Sequence, residues 1–154
     1  MRSLASRDDT AEILRRLHDL RPDSARLWGR MSVHQMVCHV ADAYRMVTRQ
    51  KLVLETSSAL GRTVVKWVAL YAPMRWPGGK IDTTPEIDQL TGGGTPPVDF
   101  EADRAAVAAL VEKMAREAGR GDWPRHPYFG AMSVADWLRW GYLHADHHFR
   151  QFGA

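Results

Sequence analysis

Ser32-Val33-His34-Gln35-Met36-Val37-Cys38-His39-Val40-Ala41-Asp42-Ala43-Tyr44-Arg45-Met46-Val47 is the stretch on which the fold turns. Ser32 and Gln35 have the spacing of a capping box, in which each side chain satisfies a free backbone donor at the start of a helix. Val33, Met36, Val37, Val40, Tyr44 and Val47 then recur at helical spacing against a polar face of His34, Ala41, Arg45 and Thr48. That pattern predicts an amphipathic helix ending near Gln50.

Outward from this helix the chain keeps a helical grammar. Upstream, Asp8 and Asp9 precede Ile13, Leu14 and Leu17, a first helix that ends before Arg21-Pro22 because proline disfavours helix at the residue before it. Arg21–Met31 is a loop containing Trp28 and Gly29. Downstream, a helix is predicted over Ser57–Ala72 and closed by Pro73. From Met74 to Val98 the period is lost among Pro77-Gly78-Gly79, Thr84-Pro85, Gly92-Gly93-Gly94 and Pro96-Pro97. A loop of that length is uncommon in a compact domain and is expected to be a functional lid or a mobile flap. Its triple glycine is not a phosphate loop, since no strand precedes it and no Lys-Ser/Thr ends it. Asp99 caps a helix through Ala118, stopped by Gly119-Arg120-Gly121. After the turn Asp122–Met132, Ser133-Val134-Ala135-Asp136 opens the last helix, which runs to about Phe152. No strand and no repeat is read. The expectation is one all-α domain over residues 1–154 with four main helices, the short N-terminal helix being one of them or an addition.

Composition narrows the function classes. A chain of 154 residues can bury a single core, and 45% hydrophobic with 25% charged residues excludes a disordered protein. The richest apolar segment, Val64–Met74, contains Lys66 and is far shorter than the ~20 residues of a membrane span. Met1–Thr10 has no signal-peptide pattern, so the cytoplasm is expected. One cysteine, Cys38, excludes an intramolecular disulfide and a cysteine-rich zinc knot. The net charge of +3 comes from 21 basic residues interleaved with 18 acidic ones, without a basic run, which argues against nucleic acid as a partner.

The chemistry lies at the C-terminal end. His144 and His148 are four residues apart, so a helix sets their Cβ atoms on one face within ~6 Å. Stepping along that stripe reaches Gly141, Trp137 and Phe152, the apolar side, rather than Asp136, Arg139 and Arg150. On the earlier helix Met36, His39, Ala43 and Met46 form one edge of the inward stripe. Small Gly141 and Ala43 would leave room for an ion between the helices. Three imidazoles and an open position are the coordination of a catalytic divalent metal rather than a structural one. The other reading of the same residues is a set of partly buried histidines satisfied by Tyr, Asp and backbone groups.

The chain resembles the DinB-like superfamily, in the branch of uncharacterised metalloenzyme relatives ending His-x-x-His-His-x-Arg-Gln-Phe-Gly. The resemblance is carried by Trp28-Gly29-Arg30-Met31 and Ser32 through His39, by Asp99-Phe100-Glu101-Ala102-Asp103-Arg104, by His126-Pro127-Tyr128-Phe129-Gly130, and by Trp137 and His144–Gly153. It implies a four-helix bundle of the up-down-down-up type, with the long irregular loop between helices 3 and 4, often dimeric. It implies a divalent metal, zinc or nickel, on His39, His144 and His148. Relatives of this kind include metal-dependent thiol transferases and isomerases using bacillithiol, mycothiol or glutathione, so a low-molecular-weight thiol is implied as a possible cofactor.

Around these ligands, His147 lies about 100° round the helix and reads as a surface residue or one behind the ligands. Asp42 and Asp146 read as exposed helix charge, or as carboxylates orienting ligand imidazoles. Cys38 reads as a packing residue, His18 and His34 as surface, and His126 as part of a turn. Trp137 and Trp140 read as core, with Trp140 also placed to line a pocket. Arg150 neutralises the negative end of its helix or pairs with an acidic group on a thiol. No residue is assigned a catalytic role. The leading expectation is a metal-dependent enzyme, a thiol S-transferase or hydrolase, activating a water or thiol against a small molecule. The runner-up is a non-catalytic bundle with a weak or vestigial metal site that acts through a partner surface. Nucleic-acid binding through dispersed arginines is a third and weaker option.

Overall fold

The computed structural model describes residues 1–79, 83–119 and 122–154. Among them there are five α-helices and no strand: α1 (Arg7–Asp19), α2 (Val33–Val47), α3 (Lys66–Tyr71), α4 (Phe100–Arg116) and α5 (Val134–Arg150). An isolated antiparallel bridge joins His126 and Gly130. No helix among the described residues is long and apolar enough to cross a membrane.

The helix starts follow their caps. Ser6 caps α1 by accepting from Asp9 N, and Asp8 and Asp9, expected to precede the helix, sit in its first turn, where they suit the positive end of the helix dipole. The Ser32–Gln35 and Ser133–Asp136 capping boxes are both formed, and Asp99 caps α4 by accepting from Ala102 N. The helix expected over 57–72 is helical over 59–71, with a π-helical stretch at Gly61–Val65 leading into α3. At Gly61 a Cβ would lie 2.6 Å from Tyr128 O, so this segment is pressed onto the turn before α5.

Helix α2 packs on α4 and α5, and α1 packs on the same two. Arg16 meets Asp146 and Tyr142 meets Glu12, so α1 and α5 run the same way. Tyr44 meets Gly141 while His39 meets His148, so α2 runs against α5. Ile13, Met36, Val37, Tyr44, Val107, Val111, Trp137 and Phe149 fill the space between these four helices.

Two expectations about helix faces are corrected. The supposed polar face of α2 is not free: Ala41 is buried, and Asp42 is wholly buried where Gln89 and Thr95 close over it. The side of α5 carrying Asp136 and Arg139 is likewise covered. Tyr71 OH donates to Asp136, and Arg139 Nε donates to Leu70 O, so α3 lies across it.

Candidate metal centre

His39 stands in the middle of α2, and His144 and His148 in the last two turns of α5. Because the helices are antiparallel, the three imidazoles face each other across one seam. Their ring centroids are 4.6 Å (His39–His148), 4.6 Å (His144–His148) and 5.3 Å (His39–His144) apart. Each offers one ring nitrogen, and the three nitrogens lie within 4.8 Å of one another. All three side chains are buried, with His144 and His148 keeping 8% of their surface in contact with solvent.

Their far sides are fixed. His39 Nδ1 donates to Ile87 O at 2.8 Å, and His148 Nδ1 donates to Gln151 Oε1 at 2.8 Å. A carbonyl acceptor on Nδ1 sets the tautomer and leaves Nε2 with its lone pair, the arrangement that orients metal-ligating imidazoles. His144 Nδ1 is buried with no hydrogen-bond partner. An unpaired buried polar nitrogen costs about 1–3 kcal/mol, which a structure retains where something else uses that ring. Burial holds His39, His144 and His148 below the usual imidazole range, and at His144 the neighbouring His148 and His39 add to the effect. Neutral imidazoles with free lone pairs are the donor set a borderline divalent ion takes, so the residues present fit the metal.

The aromatic wall was only partly foreseen. Trp140 stacks on His144 at 4.7 Å, and Trp76 from the long loop approaches His144 at 6.4 Å and His147 at 5.8 Å. His126 stacks on Phe129 at 4.4 Å and meets Trp140 at 5.3 Å, while its Nδ1 accepts from Tyr128 N and Phe129 N. It is therefore both a turn residue and a buried member of that wall. His147 is no surface residue: it is buried between Trp28, at 4.8 Å, and Trp76, and burial pushes its pKa down to about 4.

Gly141 does not make room for an ion. A Cβ there would lie 2.8 Å from Leu4 Cδ1 and 3.0 Å from Met114 Cε, so its missing side chain is replaced by core packing. Asp42 neither faces solvent nor hydrogen-bonds a ligand. It accepts from Lys51 Nζ (2.8 Å), Arg45 Nη1 (3.0 Å), Thr95 N (2.6 Å) and Gln89 Nε2 (3.2 Å), and so anchors the segment that brings Ile87 O to His39. Gly93 permits this docking, since a Cβ there would lie 1.8 Å from Pro85 O. Asp146 is shared by Arg16 (2.8 Å) and Arg150 (2.9 Å), which commits Arg150 to its own helix. Ile87 and Gln151 had no signal as imidazole partners in the sequence, because a backbone carbonyl and a helix-end amide are placed only by the fold.

The second and last long helices of this bundle thus converge on a three-histidine group that could hold a divalent ion. The chain matches the DinB superfamily family model over residues 4–152 and belongs to that superfamily. No curated protein and no solved structure matched it.

Proposed function

We propose that this chain is a metal-dependent enzyme that uses His39, His144 and His148 to hold one divalent ion, zinc or nickel, and acts on a small molecule by thiol transfer or hydrolysis. The observation that supports the reading is the convergence of three buried, neutral imidazoles, two of them fixed through Nδ1 by carbonyl oxygens. When bound, such an ion supplies Lewis acidity and lowers the pKa of a water or thiol brought to it. The protein's own groups do the rest. Ile87 O and Gln151 Oε1 hold two rings in register. Trp140 and Trp76 give the seam an apolar wall that excludes bulk water and strengthens polar interactions within it. Superfamily membership supports the same reading, a low-molecular-weight thiol as co-substrate and the cytoplasm as its place belong to it, and a homodimer is proposed on the same ground.

The deciding experiment is elemental analysis of untagged protein purified without chelator or nickel resin, beside a His144→Ala/His148→Ala variant. The expected result is about one ion per chain, absent from the variant, and metal-dependent consumption of glutathione, bacillithiol or mycothiol in the presence of electrophiles. No metal in either protein, with a melting temperature that added metal does not move, would overturn the proposal.

One observation favours the second reading, a bundle acting through a partner surface. Leu60, just before the π-helical turn, and Val64, Trp67 and Val68 on that turn and α3 are all exposed. Under that reading a His39→Ala variant keeps both its stability and its partner.

A further inference from the structure

A second group of ligand-type side chains lies one residue away along α2 but on another side of it. His34 and Cys38, one helical turn apart, face Asp103 in the first turn of α4. Asp103 Oδ2 lies 2.8 Å from His34 Nε2 and 3.5 Å from Cys38 Sγ, and one atom from each residue falls within 4.8 Å of the others. Cys38 is buried, whereas the His34 and Asp103 side chains keep 24% and 21% of their surface exposed. The three groups are thus reachable from solvent through the last two.

We infer that His34, Cys38 and Asp103 form a second divalent-metal site, joining α2 to α4 and distinct from the three-histidine group. The donor set is chemically specific. One thiolate, one imidazole and one carboxylate select a borderline ion such as zinc or cobalt over magnesium or calcium. Thiolate and carboxylate together neutralise a dication, with the imidazole neutral. Tetrahedral zinc holds its ligands at ~2.0–2.3 Å, so ligand atoms stand roughly 3.3–3.8 Å apart. The Cys38–Asp103 separation already falls in that range, and His34 Nε2 needs to move from Asp103 by a few tenths of an ångström. Three protein ligands leave a fourth position for water on the exposed side. The site fastens the N-terminal ends of α2 and α4, where Phe100 also packs on His34 at 5.4 Å. It makes no use of His39, and stands or falls independently of the function proposed above.

Because Cys38 is the only cysteine, a thiolate-to-metal signal can arise nowhere else in the chain. The test is titration of metal-free, reduced protein with cobalt chloride, following thiolate-to-cobalt charge-transfer absorption in the near ultraviolet. The expected result is a saturable band, retained in His39→Ala, lost in Cys38→Ser and lost in His34→Ala/Asp103→Asn. The last variant leaves the buried cysteine in place and alters only partly exposed side chains, so loss of the band there does not depend on a core substitution. No band in the wild type with cobalt in excess, or a band that survives His34→Ala/Asp103→Asn, would overturn the inference.

Discussion

Cys38 and His39 are consecutive on α2, point about 100° apart, and belong to two unlike groups. His39 turns to α5 and meets two more imidazoles, all neutral, buried and walled by tryptophan. Cys38 turns to α4 and meets an imidazole and a carboxylate that remain partly open to solvent. One helix thus presents two chemistries because different elements lie opposite. The seam with α5 also depends on the long loop, through Ile87 O, whereas His34, Cys38 and Asp103 all lie on the two helices themselves.

The largest effect that separates the two groups should come from Asp42. Its buried carboxylate holds Lys51, Arg45 and the Thr95 backbone, so Asp42→Ala leaves two cations short of a partner and releases the segment carrying Ile87. A loss of about 3 kcal/mol is expected in denaturant unfolding, near the lower figure for breaking a buried pair because Lys51 and Arg45 are about a quarter exposed. Metal uptake at the three-histidine group should weaken with it, while the cobalt–thiolate band stays. Equal loss of both would mean that the two groups are not separately supported.

Next comes Gln151→Ala, which removes the acceptor on His148 Nδ1 and nothing from Cys38's surroundings. Loss of such an orienting partner weakens metal binding by ~10–100-fold. Competition titration of zinc against a chelator measures it, and an unchanged affinity would remove Gln151 from the site.

How much of this was legible in the sequence follows from the range of each signal. Both capping boxes, the Asp99 cap and the i, i+4 histidines are local patterns, and the helices and the two α5 histidines came directly from them. The pairing of His39 with them rested on periodicity and on a resemblance, and the antiparallel packing of α2 and α5 supplies its geometry. What failed was burial set by distant chain. Asp42 read as exposed because nothing local announces that Gln89 and Thr95 will close over it. His147 read as either surface or behind the ligands, and its burial was not decided locally because Trp28 and Trp76 reach it from loops with no period. His34 and Cys38 did carry a usable signal, the same i, i+4 spacing as His144 and His148. It went unread because Asp103, their third member, is far away in sequence.

Acid should find the three-histidine side first, and His126 offers a way to measure that. Burial lowers its pKa from 6.5 to about 3, so the folded chain keeps it neutral while the unfolded chain takes a proton below about pH 6.5. The unfolded state then binds more protons, and stability falls as pH drops from about 6.5 toward 3, by up to about 1.4 kcal/mol per pH unit for this group. His126→Asn can still accept from the Tyr128 and Phe129 amides but does not titrate, and should flatten the fall in melting temperature between pH 6 and 4.5. An unaltered slope would place the acid sensitivity on other groups.

The smallest effect tests the expectation that failed most plainly. If Gly141 were small to admit an ion, Gly141→Ala would obstruct metal uptake. The structure points the added methyl at the flexible ends of Leu4 and Met114, away from the histidine seam. Overpacking a full core costs roughly 1–3 kcal/mol, and replacing a glycine within a helix returns roughly 0.5–1 kcal/mol, so the net change should be near 1 kcal/mol. Zinc affinity should equal that of the wild type. Weakened affinity with unchanged stability would restore Gly141 to the metal site, and would require α5 to sit in the bundle rotated from the position that Tyr44 OH, donating to Gly141 O at 2.8 Å, now fixes.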